Sequence, residues 1–166
     1  MKARDDWATR LSGVACPLCA PRPASNEHWD LVATLSASSL YLAKNQTYRG
    51  QCQLTFDPRH VARLDELTPD EYAAFAGDLF LAQHAVARAM NPDHVNVESL
   101  GNVVPHLHWH IIPRYLGDPR WGMPIWTTPL SAMPDHRLGE TERANVIDAI
   151  RAVLARDAES LAGGLT

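Results

Sequence analysis

The chain has 166 residues, the usual size of one domain, of which 46% are hydrophobic and 20% charged. Its net charge of -4 and pI near 6.0 exclude a broad nucleic-acid-binding face, which needs a basic stripe, but leave room for a small phosphorylated ligand. No apolar run approaches the ~20 residues that span a bilayer, and the opening MKARDDWATR lacks the apolar core of a signal peptide, so a cytoplasmic protein is expected.

Residues 1–15 read as an N-terminal arm. The three cysteines are Cys16, Cys19 and Cys52, an odd number that argues against a disulfide framework. Cys16 and Cys19 form CPLC, a C-x-x-C that by itself reads as zinc, redox chemistry or chance. In HWDLVATLSASSLYLAKN, β-branched and aromatic residues predict two short strands, about residues 30–35 and 38–43. Asn45 to Gly50 turns the chain, and the alternation in QCQLTFDP predicts a third strand ended by Pro58.

A helix is predicted next. Thr68 is placed as N-cap, Pro69 at the first helical position and Glu71 three after the cap, which makes a capping box. Tyr72, Phe75, Ala76, Leu79, Ala82, Val86 and Met90 then recur at helical spacing until Pro92. HVNVESL reads as a strand, GNVVP as a turn and HLHWHIIPR as a strand. YLGDPRWGMPIWTTPLSAMPD, rich in Pro and Trp, reads as a long ordered loop or a lid. Val146, Ile147, Ile150, Val153 and Leu154 mark an amphipathic C-terminal helix. Strands with two helices inserted favour an α+β fold on an antiparallel sheet of about five strands.

His106, His108 and His110 stand at every second position. Strand side chains alternate faces, so the three histidines should point one way and Leu107, Trp109 and Ile111 the other, into the core. Three chemistries want such a row: a metal site, nucleophilic catalysis by one imidazole with its neighbours binding the developing charge, or a hydrogen-bonded polar face. Cupin-type metal sites also pair histidines on a strand, but a glutamate should then follow within a few residues. None occurs between Glu98 and Glu140.

HLHWHII resembles the signature of the histidine triad (HIT) superfamily, in which histidines alternate with apolar residues. GNVVPHLHWHIIPR resembles the bacterial branch near dinucleoside polyphosphate hydrolases. FDPRHVARLDELTPDE resembles that family's strand, basic turn, histidine and capped helix, and CPLC matches many members. The resemblance covers about residues 16–116. It makes that stretch the HIT core, with residues 117–166 a Pro/Trp-rich loop and helix of the same domain.

The resemblance implies a HIT-like fold that dimerises, and a nucleotide hydrolase or nucleotidyl transferase acting at an α-phosphate. His108 would attack phosphorus and form a nucleotidyl-histidine intermediate, which suits an imidazole that is mostly neutral at pH 7. A backbone carbonyl on its second nitrogen would fix the tautomer. His110 would donate to the phosphoryl oxygens, and His106 completes the triad. Asn102 matches a phosphate-binding Gln or Asn, and Asn45 a ribose contact. Val103 departs from the pattern, because many relatives carry a Ser or Thr there as leaving-group donor. Pro105 also departs, since it gives the strand start no ladder donor. Diadenosine polyphosphates, nucleoside phosphoramidates and adenylylated amines all present the same α-phosphate to this strand.

Some bacterial relatives hold a structural zinc. The matching residues are Cys16, Cys19, His60 and His106, four ligands for a closed tetrahedral site. A nucleotide-binding regulator with little turnover is the alternative, and a metalloprotein whose triad binds a catalytic metal is a third class. Neither nucleic acid nor membrane is expected as a partner, and no catalytic cofactor. His84 reads as structural or solvent-facing, and His28, His94 and His136 sit near turns. Trp121 and Trp126 could stack on a base or cover the site, but packing is favoured for both.

Overall fold

A computed structural model describes residues 7–14, 16–20, 23–118, 120–127, 132 and 134–163, with only the backbone for 158–163. The strands are β1 (Trp29–Thr34), β2 (Ser38–Ala43), β3 (Cys52–Phe56), β4 (His94–Glu98) and β5 (His108–Arg114). They form one antiparallel sheet in the order β1-β2-β3-β5-β4, with β4 at an edge. The helices are α1 (Trp7–Leu11), α2 (Pro69–Met90) and α3 (Glu140–Gly163). No helix among the described residues is long and apolar enough to cross a membrane.

Every residue of β2 and β3 is buried, because both faces of the sheet centre are covered. Leu40, Leu42, Cys52, Leu54, Phe56 and Ile111 meet Phe75, Ala82 and Val86 of α2 and Val146, Ile150 and Val153 of α3 in one core. Phe56 and Phe75 pack edge to face at 5.4 Å between centroids. The opposite face of the sheet carries polar side chains, and there the site is built.

The capping box forms as the sequence predicts. Thr68 Oγ1 accepts from the Glu71 amide at 3.2 Å, and Glu71 Oε2 accepts from the Thr68 amide at 2.9 Å. Asn91 closes α2 in the left-handed region at φ 46°. Buried Asp78 ties this helix to the β1–β2 hairpin. Its carboxylate accepts from the Ser36 amide and hydroxyl, the Ala37 amide and the Ser38 hydroxyl, at 2.7–3.2 Å.

Several strand boundaries differ from those read off the sequence. The first strand starts at Trp29, and the last starts at His108 rather than His106. The His106 amide bonds to Val104 O in a tight turn, and the Leu107 amide reaches Val61 O, so regular pairing begins one residue later. Alternation still holds: Leu107 and Ile111 are core residues, and Trp109 packs against them. The N-terminal arm also contains more structure than expected. The helix α1 is docked, with Arg10 Nη1 donating to Val103 O at 2.9 Å. Residues 1–6 and Ala15 of that segment lie outside the described residues.

Candidate active site

The register of β3 against β5 sets Thr55 beside His108 and Gln53 beside His110. Tyr41 pairs with Gln53 on one side, and Glu98 pairs with His110 on the other. Paired residues share a face, so Tyr41, Gln53, His110 and Glu98 form one polar row across four strands. A cavity of about 490 Å³ opens over this face and is lined by His108, His110, Tyr41, Gln53 and Asn102 among others. A second cavity, about 380 Å³, adjoins it, and His28, Trp29, His110 and Trp126 line both.

The three histidines do not act as one row. His108 and His110 face the cavity, with ring centroids 4.9 Å apart at 87°. His108 Nδ1 donates to His106 O at 2.5 Å, which leaves the Nε2 lone pair as its free nucleophilic atom. Burial holds the His108 pKa below the ordinary imidazole value, partly offset by that backbone bond. Burial, reinforced by neighbouring His108, pushes His110 down to about 4. Both rings are therefore neutral at pH 7. His110 Nδ1 is buried and has no hydrogen-bond partner among the described residues.

His106 turns away, 2% exposed, toward Cys16 and Cys19. Its Nδ1 lies 3.5 Å from Cys16 Sγ and 3.3 Å from Cys19 Sγ. His60 Nδ1 lies 3.2 Å from Cys19 Sγ. The ligand atoms of Cys16, Cys19, His60 and His106 are all within 4.8 Å of one another. Both imidazoles turn their Nε2 to a backbone carbonyl, His60 to Leu11 O at 3.1 Å and His106 to Phe56 O at 2.6 Å. Each ring thereby turns its Nδ1 toward the cysteine sulfurs, and a carbonyl orients the other nitrogen as it does in metal-bound histidine. The donor set therefore fits zinc. The turn after α1 packs tightly on this cluster: a Cβ on Gly13, at φ +79°, would come 2.8 Å from His60 Cγ.

Asn102 lies on the exposed rim of the first cavity, beside Val103. Val103 is 66% exposed and offers no donor. Asn45 lines the second cavity instead. Its amide donates to Pro134 O at 2.9 Å, and its Oδ1 accepts from Thr47 and His136. His84 sits on the α2 surface, stacked on Phe80.

Four contributors escaped the sequence reading. Tyr41 and Gln53 enter through strand register, which periodicity alone does not fix. Exposed His28 lines both cavities because the turn before β1 folds over the sheet. Arg114, only 4% exposed, donates to both Asp118 oxygens at 2.7 and 2.9 Å, to Asn96 Oδ1 at 2.8 Å, to Met123 O at 2.9 Å and to Arg120 O. It holds the loop that precedes Trp126. Trp126 packs on Tyr48, Ile112 and Ile125, lines both cavities and lies against His110. Trp121 is exposed, in a groove with Arg114 and Met123.

The HIT domain family matches residues 32–117, just over half of the chain and all five strands but the first residues of β1. The chain belongs to the HIT domain family. Among solved structures, a histidine triad protein from Bradyrhizobium japonicum is similar at TM-score 0.72 and 25% identity, covering 83% of this chain and 99% of that one. One from Sinorhizobium meliloti reaches TM-score 0.67 at 24% identity, over 74% and 87% of the two chains. A zinc-bound histidine triad family protein from Mycobacterium smegmatis reaches 0.54 at 19% identity, over 93% and 95%. Comparison with curated proteins gives no match. HIT membership associates this fold with nucleotide binding, and the family includes hydrolases.

Proposed function

We propose that this HIT protein is a nucleotide hydrolase or nucleotidyl transferase, of the branch near dinucleoside polyphosphate hydrolases, with His108 as nucleophile. One observation carries the reading: the His106 carbonyl accepts a hydrogen bond from Nδ1–H of a buried His108, so a neutral ring presents Nε2 in the cavity. That nitrogen bonds the α-phosphorus of a phosphoanhydride or phosphoramidate, and the leaving group departs with the electron pair of its bond. Water then attacks the nucleotidyl-histidine, releases the nucleoside monophosphate and returns the pair to Nε2. A neutral His110 donates one N–H to a phosphoryl oxygen as charge shifts there. Asn102 contacts phosphate from the rim. Asn45 serves the ribose from the adjacent cavity by exchanging one of its present bonds.

Cys16, Cys19, His60 and His106 are the zinc ligands in this reading. Zinc bound there would be structural: the four side chains would hold it and so fix the carbonyl that orients His108. A catalytic metal on the whole triad is disfavoured, because His106 faces the cysteines while His108 and His110 face the cavity. Residues 16–116 form the HIT core with residues 117–166 in the same domain, and the molecule works as a homodimer.

Val103 supports a second reading, a nucleotide-binding regulator with little turnover, since no hydroxyl stands where a leaving-group donor would be. A panel of diadenosine polyphosphates and nucleoside phosphoramidates, run on wild type and His108→Gly, separates the two. Hydrolysis by wild type and its loss in His108→Gly is the expected result. Tight nucleoside monophosphate binding without turnover of any member would establish the regulator.

A further inference from the structure

His110 is a buried imidazole held without a hydrogen bond at Nδ1. A ring in that state takes its orientation from what it packs against. Two rings flank it. His108 stands at 4.9 Å and 87°, and the Trp126 indole at 4.9 Å and 58°. Trp126 is itself tethered, because its Nε1 donates to the carboxylate of Glu98, the β4 residue paired with His110 across the sheet. The backbone before it is pinned too, through the Met123 and Arg120 carbonyls bound to buried Arg114.

We infer that Glu98 and Trp126 form a latch that positions His110 for phosphate. Glu98 fixes the indole, and the indole fixes the imidazole. Neither residue donates a proton to the reaction. Both are positioning residues, and the consequence is kinetic. Without the latch, His110 keeps its place on β5 but gains rotational freedom about its side chain, and the donor strays from the phosphoryl oxygen. Such misplacement costs rate in the step that charges it, here attack by His108. The inference rests on the proposed roles of His108 and His110.

The test is single-turnover formation of the His108 adduct with a diadenosine polyphosphate, on wild type, Glu98→Ala, Glu98→Gln, Trp126→Phe and the Glu98→Ala/Trp126→Phe pair. Glu98→Ala and Trp126→Phe should each slow adduct formation about tenfold or more. The pair should be no slower than the worse single variant, because both remove one bond. Glu98→Gln keeps an acceptor for the indole N–H and should recover most of the lost rate. A merely structural role predicts parallel losses in melting temperature and no recovery by Gln. Wild-type rates in Glu98→Ala, strictly additive losses, or a Glu98→Gln as slow as Glu98→Ala would overturn the latch. A wild type that turns over substrate with no adduct on His108 fails the underlying mechanism instead, which is a different result from an adduct whose rate ignores Glu98.

Discussion

At the scale of single residues, protonation decides whether the site works. His108 must be neutral to attack, and its pKa lies below the ordinary imidazole value. The rate of adduct formation should therefore hold from pH 8 down to about 6.5 and fall only below it, as read from a pH–rate profile of the first step. The same shifts link to stability. The folded pKa of both rings lies below the unfolded value of ~6.5, so the unfolded chain binds the extra protons as pH drops. Stability should be flat above about pH 6.5 and decline toward the His110 value of about 4. Urea titrations at pH 7 and pH 5 check this, and His110→Asn should flatten the decline. The placement of the triad was partly legible in the sequence. Alternation placed Leu107 and Ile111 inward and the histidines outward, and the resemblance divided the work among them. What alternation could not show is that His106 turns from the cavity to the cysteines, since that depends on CPLC and His60 arriving from distant parts of the chain.

At the scale of elements, the sheet is aimed by a few buried polar links. Asp78 collects four donors from the β1–β2 turn, so Asp78→Ala leaves the Ala37 amide and the Ser38 hydroxyl buried and unsatisfied. A loss of about 2–4 kcal/mol is expected in chemical denaturation, against about 1 kcal/mol for removing the α2 cap by Thr68→Ala. Helix α2 was readable because a capping box and a 3.6-residue apolar period agree over its whole length. Its Asp78, an acid on the buried side, carries no local signal of the serines it binds. Strand register was not readable either. Alternation forbids a shift of β3 by one residue, which would send Gln53 and Thr55 into the core, but a shift by two keeps every face and changes every cross-strand partner. Tyr41 and Gln53 were missed for that reason. The short α1 reads as part of an arm because five helical residues have no periodicity to show. It is docked through Arg10 and Leu11, and Gly13 lets the chain pass close to the His60 ring.

At the scale of the whole molecule, two distant clusters hold the functional face. Arg114 and Asp118, both nearly inaccessible, brace the loop before Trp126. Arg114→Met strands a buried carboxylate and should cost about 3–5 kcal/mol. The cysteine–histidine cluster braces the other side, through the residue whose carbonyl orients His108. Purified protein should contain about one zinc per chain. Its removal by chelator should lower the melting temperature, and Cys16→Ser should remove both the metal and the effect. The proposed chemistry passes through His108 Nε2. Its most direct test is mass spectrometry of wild-type reactions quenched during turnover of a diadenosine polyphosphate. A mass increase of one nucleotidyl group, a nucleoside monophosphate less water, is expected on the peptide bearing His108 and absent in His108→Gly. Turnover with no adduct, or with the nucleotide on another residue, would contradict it.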